Sequence, residues 1–485
     1  MKLRRPILVG GLGLSFFLWI FQSWHDSLVD ISEFGLLSLL ALGGGLWLLK
    51  QNHTKDSSEA LDDVPVDRAT VERAIAKAEA TINQLAQEAE NNVETLHTVC
   101  LLREQTANLT AELDRQTITA AVTGGKSVGK TTLIKALESG WKQDVQLYET
   151  PPLFVQAGEN SDAAVLGQAR KSDVVLFLTN GDLTDTEFQS LQQLKAANRS
   201  TILVFNKQDQ YLPEERLYVL QSLKQRVSST VVATAASPLP LKVRKHQEDG
   251  TVQEWMEQSA PDIQQLTQQL DEVVAQQGQQ LVWYTTMRKA FLLKAEAKNS
   301  LNGIRRDRAL PIIEQYQWIA AGAAFANPVP ALDILATVAI NAQMVMDVGG
   351  IYQQKFSLEQ AQTIAGTMGS LMLKLGLVEL SSKAVSTVLK SNAVTFVAGG
   401  LVQGVSAAYL TRLAGLSLVE YFQQQDIATE SGTALNLDKF GQTLQKVFQQ
   451  SQQIGFLQSF VKQGVKRLVP EAVSQNALTT VKSVA

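Results

Sequence analysis

Gly124-Gly125-Lys126-Ser127-Val128-Gly129-Lys130-Thr131 decides the fold of this 485-residue chain. The apolar run Ile118-Thr119-Ala120-Ala121-Val122 leads into it, and Thr132-Leu133-Ile134-Lys135-Ala136-Leu137 leads out with a helical pattern. Strand, Gly-rich turn and helix together are the context in which G-x-x-x-x-G-K-[ST] acts as a phosphate loop. Gly124 and Gly129 let the backbone amides close around a β-phosphate, aided by the positive end of the new helix. Lys130 would reach the β/γ-phosphates, and the Thr131 hydroxyl would hold Mg²⁺. Residues Gly124, Gly125, Lys126, Ser127, Val128, Gly129, Lys130, Thr131 and Thr132 are therefore the candidate phosphate-binding set.

Composition narrows the rest. A net charge of -4 argues against a general or sequence-specific nucleic-acid binder. The single Cys100 excludes a disulfide framework and a Cys-based metal cluster. The four His have no metal-ligand spacing. This usage fits the reduced, cytosolic side of a membrane.

Two apolar stretches, Ile7 to Trp24 and Phe34 to Leu49, have about the length that crosses a bilayer. Lys2, Arg4 and Arg5 precede the first, Lys50 and Lys55 follow the second, and Asp26, Asp30 and Glu33 lie between. By the positive-inside rule both ends stay cytoplasmic. A cleaved signal peptide is the rival, but no small-x-small cleavage site follows the first run. Residues 1–50 are thus expected to be a membrane-anchoring helical hairpin, and 51–67 a polar linker.

From 68 to 116 the apolar positions Val71, Ile75, Ala78, Ile82, Leu85, Ala89, Leu96, Val99, Leu102, Thr106, Leu109 and Leu113 mostly step by three and four. That stripe predicts a coiled-coil stalk, a helical hairpin arm or a helix packed on the nucleotide domain. From 117 to 280 short apolar strands alternate with helices, the pattern of a doubly wound α/β domain. The strands are predicted at Ile118–Val122, Val145–Tyr148, Val174–Thr179, Ile202–Phe205 and Val231–Thr234. A hairpin, Leu241–Lys245 and Thr251–Met256, turns across Asp249-Gly250. Residues 281–425 predict a mainly helical domain, and 426–485 a helical extension.

Asn206-Lys207-Gln208-Asp209 places N-K-x-D at the end of the strand Ile202–Phe205. A carboxylate there can accept from guanine N1–H and N2–H₂, donors that adenine does not offer in that position. Asn206 would contact the acceptor edge of guanine and orient the loop, and the Lys207 stem would lie along the base. Thr234-Ala235-Ala236 matches a loop whose backbone amide meets guanine O6.

This ordered set resembles the Era-like GTPases of the translation-factor-related class, over about Thr117 to Gln280. The resemblance implies GTP or GDP bound at Gly124, Gly129, Lys130, Thr131, Asn206, Lys207 and Asp209, with Mg²⁺ and slow hydrolysis. Where that family has D-x-P-G, this chain has Glu149-Thr150-Pro151-Pro152-Leu153. Glu149, one methylene longer than the family's Asp, takes over its role toward Mg²⁺. Lys130, Thr131 and Glu149 are then the candidate catalytic residues, and Thr131 and Glu149 the metal-binding pair. Pro152 has no N–H to offer a γ-phosphate. The path from Lys130 to Glu149 is about half of what a Ras-like order uses, leaving little room for a first switch loop. Leu153 stands where Ras-type enzymes orient water with Gln. Ser127 replaces the Asn of potassium-stimulated relatives. Asp162, Asp173 and Asp182 are the alternative carboxylates near the phosphates.

In the helical half, Lys294, Lys298, Arg305 and Arg308 share one stripe of the helix from 287 to 308. It is either a solvated face or a contact for anionic lipid headgroups. Gly322 to Leu335 contains an N-P-x-P turn that must break a helix. With the helices to about Gln424 it resembles the YcjF-type domain of unknown function, which follows Era-like domains in bacterial membrane-associated proteins. Asn327 and Asp333 are read as turn and cap. The uncharged stretch 391–411, with Gly400 and Gly404 in G-x-x-x-G, is read as a buried bundle helix rather than a membrane span.

The sequence thus predicts a GTP-binding protein on the inner or another internal membrane of a bacterium, its nucleotide domain facing the cytoplasm. Its partners would be guanine nucleotide, membrane lipid and an unidentified protein, with homo-oligomer formation left open. The alternatives are a non-hydrolysing GTP-binding scaffold and a dynamin-like membrane-remodelling GTPase.

Overall fold

The computed structural model describes residues 66–468, apart from 90–91, 142–143, 156–160, 199, 228–229, 247–251, 327–329, 391–398, 425–435 and 452–453. The expected membrane hairpin and most of its linker lie outside the described residues, as do Asn327, the Asp333 side chain and 391–398.

Five strands form one parallel sheet: β1 (Ile118–Gly124), β2 (Val145–Glu149), β3 (Val174–Thr179), β4 (Ser200–Phe205) and β5 (Val231–Ala233). Their order is β2-β1-β3-β4-β5. Helices α3 (Lys130–Gly140), α4 (Asp162–Ala169), α5 (Asp185–Ala197) and α6 (Pro213–Arg226) complete the nucleotide half. The central strands β3 and β4 are buried along their whole length, as strands covered on both faces require. Alternation assigns the faces. Ile118, Ala120, Val122, Leu176 and Leu178 share a core with Leu133 and Leu137 of α3. Ala121, Val175, Phe177 and Phe205 share the other with Leu166, Leu191 and Leu223 from α4, α5 and α6.

β2 pairs directly and in parallel with β1, from Ile118↔Val145 to Val122↔Glu149. Only residues 141–144 lie between α3 and β2. The additional strand and switch loop of a Ras-like order have no room there, and β2 is the sheet edge.

The predicted hairpin forms as β6 (Leu241–His246) and β7 (Val252–Glu257), antiparallel and separate from the main sheet. After it comes α7, which runs from Gln264 to Ala326 over 63 residues. At 1.5 Å per residue it is about 95 Å long. It crosses the expected boundary at 280 without a break. Its start, Leu266, Leu270, Leu281 and Val282, fills the sheet core. Its end, Ile313 and Ala321, fills the bundle core. Pro311 within it removes one helical hydrogen bond, yet the helix ends only at Ala326, before the N-P-x-P turn.

The stalk region forms two helices, α1 (Arg68–Glu88) and α2 (Val93–Glu112). Asp67 and Asn92 cap them, each accepting a backbone N–H. They run antiparallel, because Arg68 at the start of α1 bonds Asp114 just beyond α2 at 2.6 Å. Val71, Ile75, Ala78, Ile82 and Leu85 on α1, and Val99, Leu102 and Leu109 on α2, are buried as the stripe predicted, whereas Leu96 is exposed. The hairpin lies along α7. Lys289 of α7 meets Glu112 at 2.7 Å, and Arg305 meets Glu88 at 2.6 Å. Arg308 also reaches Glu88. Arg305 and Arg308 of the basic stripe are therefore both paired with Glu88 of the hairpin. Arg305 is buried, and leaving its charge unpaired there would be costly.

The bundle adds α8 (Pro330–Ile351), α9 (Leu358–Lys374), α10 (Leu377–Lys390), α11 (Gly399–Gln424), α12 (Leu437–Ser451) and α13 (Ile454–Leu468). Gly400 and Gly404 of α11 face α7 so closely that a Cβ would stand 3.1 Å from the Phe325 carbonyl and 2.9 Å from that of Ala321. Leu401, Val405, Ala408 and Leu413 of α11 are buried in the bundle. Phe440, Leu444 and Phe460 of the expected C-terminal extension share that core. Among the described residues no single helix is long and apolar enough to cross a membrane; α9 and α10 meet that standard only as a pair bent by 71°.

Candidate functional site

The phosphate loop joins β1 to α3 at the carboxyl edge of the sheet. Gly124 has φ 145°, and a Cβ on it would stand 2.4 Å from the Leu178 carbonyl oxygen. Gly129 has φ 94°, and its Cβ would stand 2.4 Å from Asn206 Nδ2. Only glycine meets both demands. Lys130 is buried and donates from Nζ to the carbonyls of Gly124 (3.2 Å) and Gly125 (2.9 Å). Burial pushes its ammonium below the ordinary lysine value, and the negative charge of Glu149 works against that. Lys126, Ser127 and Thr132 are exposed around the loop, while the Val128 side chain is buried in the core.

Thr131 Oγ1 donates to Glu149 Oε2 at 2.6 Å. Glu149 is the last residue of β2, and the pairing of β2 with β1 brings it beside the loop. The alternative carboxylates are engaged elsewhere. Asp173 lies at the opposite end of β3, bonded to Arg115 and Thr119. Asp182 bonds Ser222 of α6, and Asp162 accepts the Phe154 N–H.

Leu153 pairs back onto the loop, its N–H donating to the Gly124 carbonyl at 3.1 Å. Its side chain is 1 % exposed, packed in the core beneath. It does not face the phosphate position.

The base side is assembled by Asn206. Its Nδ2 donates to the Val128 carbonyl at 2.9 Å. Its Oδ1 accepts from Thr234 Oγ1 at 3.1 Å and from the Ala236 N–H at 3.2 Å. Asn206 was expected both to contact the base and to orient the loop; its observed bonds are those of a tie between three loops. Asp209 Oδ2 accepts the Leu239 N–H at 2.9 Å, which fixes the direction of the carboxylate. Lys207 takes a left-handed φ of 62°, and its Cε comes within 3.9 Å of a Cβ built on Gly129. Its stem thus lies over the loop.

Ala235 departs from expectation. Its N–H and C=O are both paired with the backbone of Asp262, at 2.9 Å each. Its amide is spent on Asp262 rather than held toward a base. Asp262 also accepts Gln208 Nε2 at 2.8 Å.

Sequence reasoning missed Asp262, Leu239 and Glu187. The first two act on the site largely through the backbone, which side-chain motifs do not reveal. Glu187 belongs to a Thr184 capping box, a visible T-x-x-E pattern. Its Oε1 stands 3.9 Å from a Cβ built on Gly125, a direction that no local pattern carries.

The parallel sheet, the Gly-rich loop and its flanking helices define a P-loop NTPase fold, followed by a mainly helical domain. The family model described as "Domain of unknown function (DUF697)" matches residues 288–453, so a DUF697 domain is present. No curated protein matches. Among solved structures, the G domain of the T. maritima FeoB iron transporter is similar over 25% of this chain and 88% of its own, at 15% identity and a TM-score of 0.21. A GTP-binding protein of Sulfolobus solfataricus in complex with GDP is similar over 43% and 67%, at 12% identity and TM-score 0.25. The LeoA bacterial dynamin GTPase from ETEC is similar over 85% and 96%, at 12% identity and TM-score 0.22.

Proposed function

We propose that this chain is a membrane-associated protein of Era-like type that binds GTP and GDP with Mg²⁺ and hydrolyses GTP slowly. The observation that carries the nucleotide reading is the Asn206 tie. It joins the phosphate loop, the N-K-x-D loop and the Thr234–Ala236 loop into one pocket edge. Asp209, oriented by Leu239, then accepts from guanine N1–H and N2–H₂. Adenine would leave it unpaired.

Lys130 binds the β/γ-phosphates, and Thr131 and Glu149 hold Mg²⁺. The fit is chemical: two oxygen donors 2.6 Å apart beside a phosphate loop suit a hard cation that completes its shell with phosphate and water. The metal would neutralise charge developing on the phosphates. Residues 1–50 anchor the chain at a bacterial membrane with the nucleotide domain on the cytoplasmic side. The nucleotide state then regulates contacts of the helical half with a partner or the bilayer. Titration of the chain with GTP, GDP and ATP tests the binding, and protease protection in sealed vesicles tests the orientation.

A second reading, a GTP-binding scaffold without hydrolysis, is favoured by Pro152 and the buried Leu153. Neither offers a group to a γ-phosphate or an attacking water. Single-turnover hydrolysis, with Lys130→Ala as control, separates the two.

A further inference from the structure

The two ends of the nucleotide site differ in what they can pass on. At the γ-phosphate end Pro152 has no N–H. The Leu153 N–H is taken by the Gly124 carbonyl, and its side chain is buried. Residues 141–144 are all that separates α3 from β2. The Thr131–Glu149 bond at this end could open to a metal, but that metal would accompany GDP as well as GTP, and the Pro152 and Leu153 backbone offers no N–H to a γ-phosphate.

The base end is connected differently. Gln208, the variable residue of N-K-x-D, bonds Asp262, and Asp262 pairs through both backbone groups with Ala235. The next residue, Ile263, is buried in the sheet core, and α7 starts at Gln264. From there one continuous helix reaches the bundle core at Ile313 and Ala321. All three amides of the loop expected to meet guanine O6 are already used, Thr234 by the Phe205 carbonyl, Ala235 by Asp262 and Ala236 by Asn206. A base carbonyl arriving at this loop must displace one of them.

We propose that occupancy of the base site, rather than presence of a γ-phosphate, sets the state of the helical half, with Asp262 as the positioning residue that passes it to α7. This rests on the guanine-nucleotide reading above. The chain would then report nucleotide-bound against nucleotide-free, and GDP would act like GTP.

Hydrogen exchange on the full chain in mild detergent tests this, with Mg²⁺ and one of GDP, a non-hydrolysable GTP analogue or inorganic tripolyphosphate. Calorimetry on the same samples reports binding. GDP and the GTP analogue should change exchange across 262–270 and the bundle end of α7 by a similar factor, about tenfold. Tripolyphosphate, which fills the phosphate loop without a base, should leave both segments unchanged. The proposal is overturned if GDP binds but only the GTP analogue changes α7, if tripolyphosphate alone changes it, or if neither nucleotide does. Absence of GDP binding would instead overturn the nucleotide reading itself.

Discussion

Thr131 and Glu149 share a 2.6 Å hydrogen bond, although they lie on different elements and Glu149 stands where the Era-like pattern that the sequence resembles has aspartate. The edge position of β2 makes the contact, because its parallel pairing with β1 ends at Val122↔Glu149. If that pair holds Mg²⁺, Glu149→Gln should reduce the Mg²⁺-dependent gain in GTP affinity about tenfold. Calorimetric titration with and without EDTA measures it. An unchanged Mg²⁺ effect would remove Glu149 from the metal site.

Two glycines of the same loop should respond differently to alanine. At Gly129 the backbone is left-handed, and the added Cβ meets Asn206 Nδ2 at 2.4 Å. Gly129→Ala should cost about 2 kcal/mol and abolish nucleotide binding. At Gly125 the nearest contact is 3.7 Å, ordinary packing distance. Gly125→Ala should fold normally, as thermal unfolding of the two variants would show.

Pro152→Gly returns an N–H to the position where the family pattern has glycine. We expect GTP to gain on GDP by about tenfold, near the lower end of the scale of one hydrogen bond to a charged group. Competition binding reads the ratio. No gain would mean that the loop from Glu149 does not reach the γ-phosphate.

Asp173 should make stability depend on pH. Burial raises its carboxyl, but the hydrogen bonds from Arg115 and Thr119 and the Arg115 charge outweigh that, so its value falls below the ordinary 3.8. A lowered folded value contributes stability that is present above the unfolded value and lost as pH falls through the folded one. Asp173→Asn should therefore destabilise the chain by about 3 kcal/mol near neutrality. The gap from wild type should narrow as pH falls below 3.8 and through the lowered folded value, which denaturant unfolding across pH would measure.

Glu88→Ala leaves Arg305, 3 % exposed on its side chain, without its carboxylate. A loss of about 3 kcal/mol is expected, and Glu88→Leu with Arg305→Met should recover much of it. If Glu88→Ala leaves the melting temperature unchanged, the hairpin is not held to α7 by this pair.

Much of the nucleotide half was legible because its signals are local. Alternating strands, a Gly-rich turn and N-K-x-D each occupy a few consecutive residues. The seam from Val71 to Leu113 was legible for the same reason, and Leu96 failed because the chain leaves one helix and enters another at 89–92. What bound those pieces together was not legible. The pairing of Arg305 and Arg308 was not legible because their partner, Glu88, lies far away in sequence. Ala235 looked free for a base because its partner acts through the backbone. The boundary expected at 280 falls inside α7, a continuity that no local signal carries because the helix contributes to two cores far apart in sequence.

The most direct test of the central claim is a titration of the full chain with GTP, GDP and ATP, repeated with Asp209→Asn. The account predicts binding of GTP and GDP, ATP at least about 100-fold weaker, and a shift of the variant toward xanthine nucleotides, whose 2-oxo group accepts from the new amide. Equal affinity for ATP and GTP would contradict it.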